Sequence, residues 1–361
     1  MITQLFHLEL ITPCFCGGAE PDKQAEIRAP SIRGQLRWWF RTLGGFKSLA
    51  DQKVGVRQQE DMIFGSVAGG KGSAGRLIVR VAAPNGRSLT DSAEFQTPDM
   101  ASPEGYLLFP LRQKTRKKSA LPSFTLQLVW RGTPALQGEI QALGAVLGHL
   151  GSVGFRGRRA MGAMAFSQPG PDLKTALARF NKPDAVNVCE LDDACGNASA
   201  STIGLAKWLK SWRQHGRTPQ LATNEPGFGF ARRDHNEGLA RLRGQPVTSD
   251  PPGHASKGKV GETFRPTLGL PIIQFFSSQP KGSNKVNWDF GSGNAKGRFA
   301  SPVLLRPHRD AQGRWHALVI FVDAHQWPVG KKVYLNGQER SVSLDLYLAM
   351  KNDDRLKDFL T

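Results

Sequence analysis

Residues 28–41 read Arg28-Ala-Pro-Ser-Ile-Arg-Gly-Gln-Leu-Arg-Trp-Trp-Phe-Arg41, with four arginines, two tryptophans and no acid. At 100° per residue, Ile32, Leu36, Trp39, Phe40 and Leu43 fall on one face of a helix. Ser31 is placed to cap a helix that begins after Pro30. Arg33, Arg37 and Arg41, spaced four apart, form a stripe along its side. The apolar face can dock on a sheet while the stripe faces something negative. Gly34 is a poor helix-interior residue, and it suits a place where another backbone or a phosphate must come close.

Outward from this stretch the pattern is regular. Leu5 to Ile11 alternates and predicts a strand that ends at Pro13 and Gly17-Gly18, and a loop carrying Glu20, Asp22 and Glu26 leads into the helix. Downstream, Glu60 to Phe64 predicts a short helical turn, 65–75 a loop, Arg76 to Ala82 a strand, Tyr106 to Leu111 a short strand and Ser123 to Trp130 another. Glu139 to Leu150 predicts a second helix, closed by Gly151, and a short strand runs through Phe166. Strand, helix, strand, strand, helix, strand is the ferredoxin-like order, an antiparallel sheet with both helices on one face. It assigns an α+β class and a first domain over residues 1–168. Residues 168–200 read as a linker with a short helix near Lys174 to Phe180. Beyond it a second α+β domain, 169–361, is expected. It has a helix over Ile203 to Trp212, strands at Leu268–Phe276, Ser301–Leu305 and Ala317–Val322, a closing helix within Leu344–Leu360, and loops at 244–262 and 277–298.

The second marked feature is Gly151-Ser-Val-Gly-Phe-Arg-Gly-Arg-Arg-Ala-Met-Gly162. Gly154, Gly157 and Gly162 permit close backbone approach, and Arg156, Arg158 and Arg159 supply charge. Such a turn between helix and strand suits a phosphate backbone. Gly154-Phe-Arg-Gly157 also fits the GXXG of a KH domain, but the order of flanking elements does not. A third basic cluster holds Lys114, Arg116, Lys117 and Lys118. Arg232, Arg233, Arg241, Arg243, Lys257 and Lys259 predict a diffuse positive field in the second half.

Composition agrees with a polyanionic partner. Forty-eight Lys and Arg against 30 Asp and Glu give a formal charge of +18 on 361 residues, the balance expected of a nucleic-acid binder. No apolar run approaches a membrane span, and no secretory leader is visible, so a cytoplasmic protein without a membrane partner is expected. Cys14, Cys16, Cys189 and Cys195 lack the paired C-x2-C spacing of zinc sites and read as ordinary thiols. Eight scattered histidines (His7, His149, His215, His235, His254, His308, His316 and His325) form no H-x3-H or HExxH pair. Gly65-Ser-Val-Ala-Gly-Gly-Lys71-Gly72 misses the P-loop pattern at its last position and has no strand before it. No metal, cofactor or catalytic residue is therefore assigned.

Gly17-Gly18, the run Ile27 to Arg41 and Ile63-Phe-Gly-Ser66 together resemble the N-terminal signature of the RAMP superfamily, in particular the first RAMP subunit of the type III-B (Cmr) CRISPR–Cas effector. The loop at 151–162 resembles the superfamily's G-loop, and Arg298-Phe-Ala-Ser-Pro302 a C-terminal segment of the same subunit. The resemblance implies two ferredoxin-like (RRM-like) modules with long loop insertions. It also implies a non-catalytic RNA-binding subunit that caps a ribonucleoprotein filament near the guide RNA 3′ end. Its partners would be guide (crRNA) and target single-stranded RNA and the other Cmr subunits. It carries an RNA-facing role onto Arg28, Ser31, Arg33, Arg37, Arg41, Gly154, Arg156, Gly157, Arg158 and Arg159, to which the cluster adds Lys114 and Lys117. Asp22 lies where a backbone subunit of that family keeps its cleaving acid, but its surroundings resemble the capping subunit and it receives no catalytic role. Two other readings stay open: a metal-independent RAMP endoribonuclease, and a protein scaffold whose arginines pair with acidic partners.

Overall fold

Alternation in the first strand, β1 (Ile2–Leu10), turns Phe6, Leu8 and Leu10 inward, as the two-residue period of a half-buried strand requires. The computed structural model describes the chain apart from residues 19, 21–22, 69–70, 85–87, 100–101, 112–117, 121–122, 193–194, 214–223, 248–255 and 292–296. After β1 come helices α1 (Ala29–Thr42) and α2 (Val56–Phe64), strands β2 (Leu77–Ala82) and β3 (Ser123–Trp130), helix α3 (Gln137–Leu150) and strand β4 (Met164–Phe166). The sheet runs β2-β3-β1-β4, with every neighbouring pair antiparallel. Its register sets Phe6 against Leu126 and Leu8 against Phe124, so core residues meet across strands where pairing is worth most.

The chain is α+β with several antiparallel sheets. It parts into two compact units, and not at residue 168. One comprises Met1–Ala206, Leu304–Ala324 and Lys357–Thr361, the other Lys207–Val303 and His325–Leu356. In the first unit, Val186–Leu191, inside the stretch read as a linker, is a strand. It joins a four-stranded sheet in the order Val303–Arg309, Trp315–Val322, Val186–Leu191, Leu356–Asp358. The second unit holds a five-stranded sheet: Glu262–Thr263, Gln338–Val342, Val333–Leu335, Lys285–Asp289, Ile272–Phe275. Its core gathers Phe276, Val286, Trp288, Trp327, Val333 and Leu335.

Further local expectations change. The expected loop 277–298 holds the strand Lys285–Asp289, which pairs with Ile272–Phe275 and Val333–Leu335. Tyr106–Leu111 is not a strand. Ser102 caps Pro103–Leu108 by accepting from the Gly105 amide, and Pro103 and Glu104 complete a helix start. Residues 65–75 are not an open loop, since Gly65–Ala68 pairs with Lys71–Ala74 as a hairpin. The closing segment is helical only over Asp345–Lys351 and then becomes the strand Leu356–Asp358.

Several basic residues of the second unit are engaged internally. Helix Phe228–Arg243 buries Asp234 and Glu237. Asp234 pairs with Arg265 at 2.9 Å and accepts from the Phe264 and Arg265 amides; burial pushes its carboxyl up, and Arg265 works against that. Glu237 pairs with Arg340 at 2.8 Å. Arg233 donates to the Lys257 and Gly258 carbonyls, and Arg241 to Asn336. Bonds to neutral carbonyls fix Arg233 and Arg241 in place and leave their charges intact.

His149, near the end of α3, has its Nε2 2.7 Å from the Pro171 carbonyl, while its Nδ1 is buried and finds no partner among the described residues. That suits a neutral ring with its proton on Nε2. Burial first, then the neighbouring Arg306, pushes its pKa down to about 4, against a raising effect of the Pro171 carbonyl and Asp172. The unfolded chain therefore takes the proton before the folded one. The contribution is complete above about pH 6.5 and is lost as pH falls toward 4. We predict that urea denaturation at pH 5 shows about 2 kcal/mol less stability from this group than at pH 7. A His149→Phe variant should show a shallower slope over that window, and an unchanged slope would contradict the assignment.

Candidate nucleic-acid interface

Helix α1 begins at Ala29, with Arg28 at the N-cap and Pro30 in its first turn. Pro30 has no amide hydrogen to lose there, which is why the helix can start earlier than a cap at Ser31 requires. Ser31 sits in the first turn and is exposed. The predicted apolar face is fully realised: Ile32, Leu36, Trp39, Phe40 and Leu43 are each at most 1% exposed. Their burial holds the helix on the first unit's core at roughly 1.5–3 kcal/mol per large side chain.

The stripe on the helix's flank faces an acid of its own chain. Glu60, on α2, is 7% exposed. Arg37 Nε donates to its Oε1 at 2.8 Å and Arg41 Nε to its Oε2 at 2.6 Å. Arg41, then Arg37, holds the Glu60 carboxyl below the usual range, against the effect of its burial. The same contact raises Arg41. Arg33 donates to the Phe64 carbonyl at the end of α2. The expectation that the stripe awaits an outside anion is thus corrected in part: α2 supplies one carboxylate to two guanidinia.

Positive charge remains. A groove of about 1030 Å³ is lined by Arg33, Arg37, Arg41 and Arg57 against Glu60 and Asp61, with Ser66, Val67 and Ser73 of the hairpin on its wall. A second hollow, about 320 Å³, lies between Trp38 of α1 and Gly154, Gly157 and Arg158 of the 151–162 loop. Gly34 lines both. It is exposed, and a Cβ placed there would meet nothing within 4 Å.

The 151–162 loop is shaped by its own chain. At Gly162, φ is +63° and a Cβ would lie 1.8 Å from the Val153 carbonyl oxygen. At Gly154, φ is +83° and a Cβ would lie 2.9 Å from the Phe15 backbone. These glycines are needed for intramolecular approach, where L side chains do not fit. Phe155 donates its amide to the Phe15 carbonyl and Gly162 to Pro13. The neighbouring thiols of Cys14 and Cys16 are buried, with Sγ atoms 3.1 Å apart. Burial and its neighbour raise the Cys14 thiol, the contact with Cys16 first, while the contact with Cys14 lowers Cys16.

The loop's arginines differ in position. Arg158 places its guanidinium 4.9 Å from the Trp38 ring centre, and burial lowers its pKa. Arg156 is half-buried and donates to the Leu107 carbonyl at 2.6 Å. Arg159 is 6% exposed and turns back to the Arg158 carbonyl. Arg28 is exposed. Lys114, Arg116 and Lys117, and likewise Asp22 and His254, lie outside the described residues. Sequence reasoning missed Arg57, the double role of Glu60 and the Trp38–Arg158 contact. An acid spaced to face the stripe after α1 was the available signal for Glu60. Among the described residues, no group of three or more His, Cys, Asp or Glu is placed to hold a metal, and no helix is long and apolar enough to cross a membrane.

An arginine-flanked helix and a Gly/Arg loop meeting on one antiparallel sheet define a class, and the RAMP superfamily model matches residues 7–165. This part of the chain is similar to RAMP-superfamily domains. The chain is similar to CRISPR system Cmr subunit Cmr1-1 of Pyrococcus furiosus, 27% identical over 192 residues, covering 51% of this chain and 54% of that protein. It is similar to Cmr1-2 of the same organism, 39% identical over 67 residues, covering 18% of this chain and 34% of that protein. The matches therefore span about half the length of the first relative and a third of the second. The crystal structure of apo Cmr1 from P. furiosus superposes with a TM-score of 0.52 at 15% identity, covering 98% of this chain and 97% of that one. At that identity the likeness is one of fold.

Two substitutions test the site's construction. Gly34→Ala fills open space on a helix and should raise stability by about 1 kcal/mol in chemical denaturation. Glu60→Gln removes the shared charge partner of Arg37 and Arg41 and should cost about 1 kcal/mol, because both guanidinia keep some access to water. A neutral Glu60→Gln variant would mean the bridge is not formed in solution.

Proposed function

We propose that this chain is a Cmr1-like, RNA-binding subunit of a type III-B CRISPR effector. Single-stranded RNA would cross α1 at Gly34, between the arginine groove and the Gly/Arg loop. The observation that carries this reading is that one bare, exposed glycine lines both the arginine groove and the hollow that holds Trp38 and Arg158. A phosphodiester backbone can pass over Gly34 without steric cost, with Arg33, Arg37, Arg41 and Arg57 on one side and Trp38 and Arg158 on the other. Such a track holds phosphates and offers an aromatic edge, the usual provision for single strands bound with little base readout. Guide pairing would supply the sequence specificity.

The finer parts of the reading rest on the same residues. The β2-β3-β1-β4 order supports a ferredoxin-like first module. The relatives' names, both Cmr subunits, support assembly with other Cmr subunits; that the chain also meets guide and target RNA and caps the filament near the guide 3′ end is our proposal from the sequence resemblance. In this reading the chain is a non-catalytic binder that works in the cytoplasm. Arg158 lines the second hollow; Arg28, Ser31 and Arg156 line neither hollow and belong to the proposed RNA-facing set through the sequence resemblance. Gly154 and Gly157 line the second hollow, and buried Arg159, bonded to the Arg158 carbonyl, would act on it only through the loop backbone. Lys114 and Lys117 would extend the track.

Glu60 sharpens the test. It cancels one charge in the groove, so Arg37→Glu would set two carboxylates together and confound binding with folding. Gly34→Glu leaves those pairs intact and places a charge in the track. We predict that Gly34→Glu weakens binding to labelled single-stranded RNA at least tenfold at about 0.1 M salt, where exposed charges still act over about 10 Å, with an unchanged circular dichroism spectrum. Wild-type affinity should fall steeply across a salt series, and the RNA should stay intact on a gel. Equal affinity for both proteins would refute the track, and cleaved RNA would favour the endoribonuclease reading.

A further inference from the structure

The loop at 151–162 is held at both ends by one buried cation from much later in the chain. Arg306, on the strand Val303–Arg309, is 1% exposed. Its Nε donates to the Gly151 carbonyl at 3.0 Å, and its Nη2 to Gly148 at 2.7 Å and to the Met164 carbonyl. Nη1 reaches the Pro307 carbonyl at 3.2 Å and His308 Nδ1 at 3.4 Å. Gly148 and Gly151 are where α3 ends, and Met164 is where β4 begins. A helix end leaves carbonyls without intrahelical partners and carries partial negative charge. A planar guanidinium is well shaped to satisfy several of them at once.

Burying a cation is costly, and packing alone would be served by an apolar side chain of similar volume. What Arg306 gives, and an apolar residue cannot, is a fixed distance between the loop's entry and its exit. The adjoining backbone extends the brace: Ala160 donates to the Leu305 carbonyl at 2.9 Å, and Leu305 to Arg158 at 3.3 Å. The strand bearing Arg306 thus grips the loop at its feet and along the Arg158–Ala160 segment. Arg158, in turn, lies over Trp38 beside Gly34.

We infer that Arg306 is a positioning residue for RNA binding: it touches no RNA itself, and sets the 151–162 loop at the height where the loop and α1 form one track. This rests on the RNA-track reading above, and the test separates the two. Arg306→Met and Arg306→Lys are made in the full chain. Amide hydrogen exchange is followed at Val153, Phe155, Ala160 and Gly162, whose amides are bonded in the structure, and RNA affinity is measured alongside. In Arg306→Met these amides should exchange at least tenfold faster while those of α1 keep their rates, a local opening and not a global one. RNA affinity should fall about tenfold, non-additively with Arg156→Ala and additively with Arg57→Ala, which lies in the other groove. Arg306→Lys should restore part of the protection. If Arg306→Met does not fold, Arg306→Lys carries the test, with faster loop exchange than wild type expected. Unchanged loop exchange, or faster exchange spread equally over α1, would overturn the inference. Loop amides that respond in a protein that binds no RNA would uphold the brace and refute the RNA track.

Discussion

Everything in the first unit depends on the burial of one helix face. Ile32, Leu36, Trp39, Phe40 and Leu43 lock α1 to the core, and that fixes the rotation of the helix about its axis. Once the rotation is set, the positions of Arg33, Arg37 and Arg41 are no longer free. The same geometry sets Gly34 outward and turns Trp38 toward the Gly/Arg loop. Charge placement here is a by-product of packing: the apolar residues decide where the cations go.

That order of causes explains what could be read from the chain in advance. The apolar face of α1 was legible because helical period is a local property. So were β1, β3 and α3, whose patterns are strong and uninterrupted. Tyr106–Leu111 misread as a strand because six mostly apolar residues carry no period, and the signal lay instead in the cap at Ser102. Val186–Leu191 was hidden in a polar stretch because its partner, Trp315–Val322, is far away in sequence. The site was half legible. Its cations were visible as residue types; Glu60, 19–23 residues from its partners, left only the signal of an acid on the next helix, and Arg306 acts across more than 140 residues, where no spacing rule reaches.

Glu60 also shows why a basic stripe is a poor measure of free charge. Two guanidinia share one carboxylate, so the groove holds its cations in place at the expense of part of their field. A pre-ordered arginine loses less freedom when it meets a phosphate than a solvated one. The groove has exchanged some attraction for aim. The glycines of the 151–162 loop carry a similar lesson: Gly154 and Gly162 are demanded by the chain's own backbone, before any ligand is considered.

The strand Val186–Leu191 has a consequence for how the molecule is made. Its neighbours are Trp315–Val322 and Leu356–Asp358, so it leaves the ribosome well before either exists. At roughly 5–20 residues per second, it waits on the order of ten seconds with both edges unpaired. Meanwhile Lys207–Val303, most of the other unit, is synthesised. An exposed strand edge is a template for pairing with other chains. During synthesis, the newborn protein therefore exposes to aggregation a strand whose two edges are both paired in the finished one.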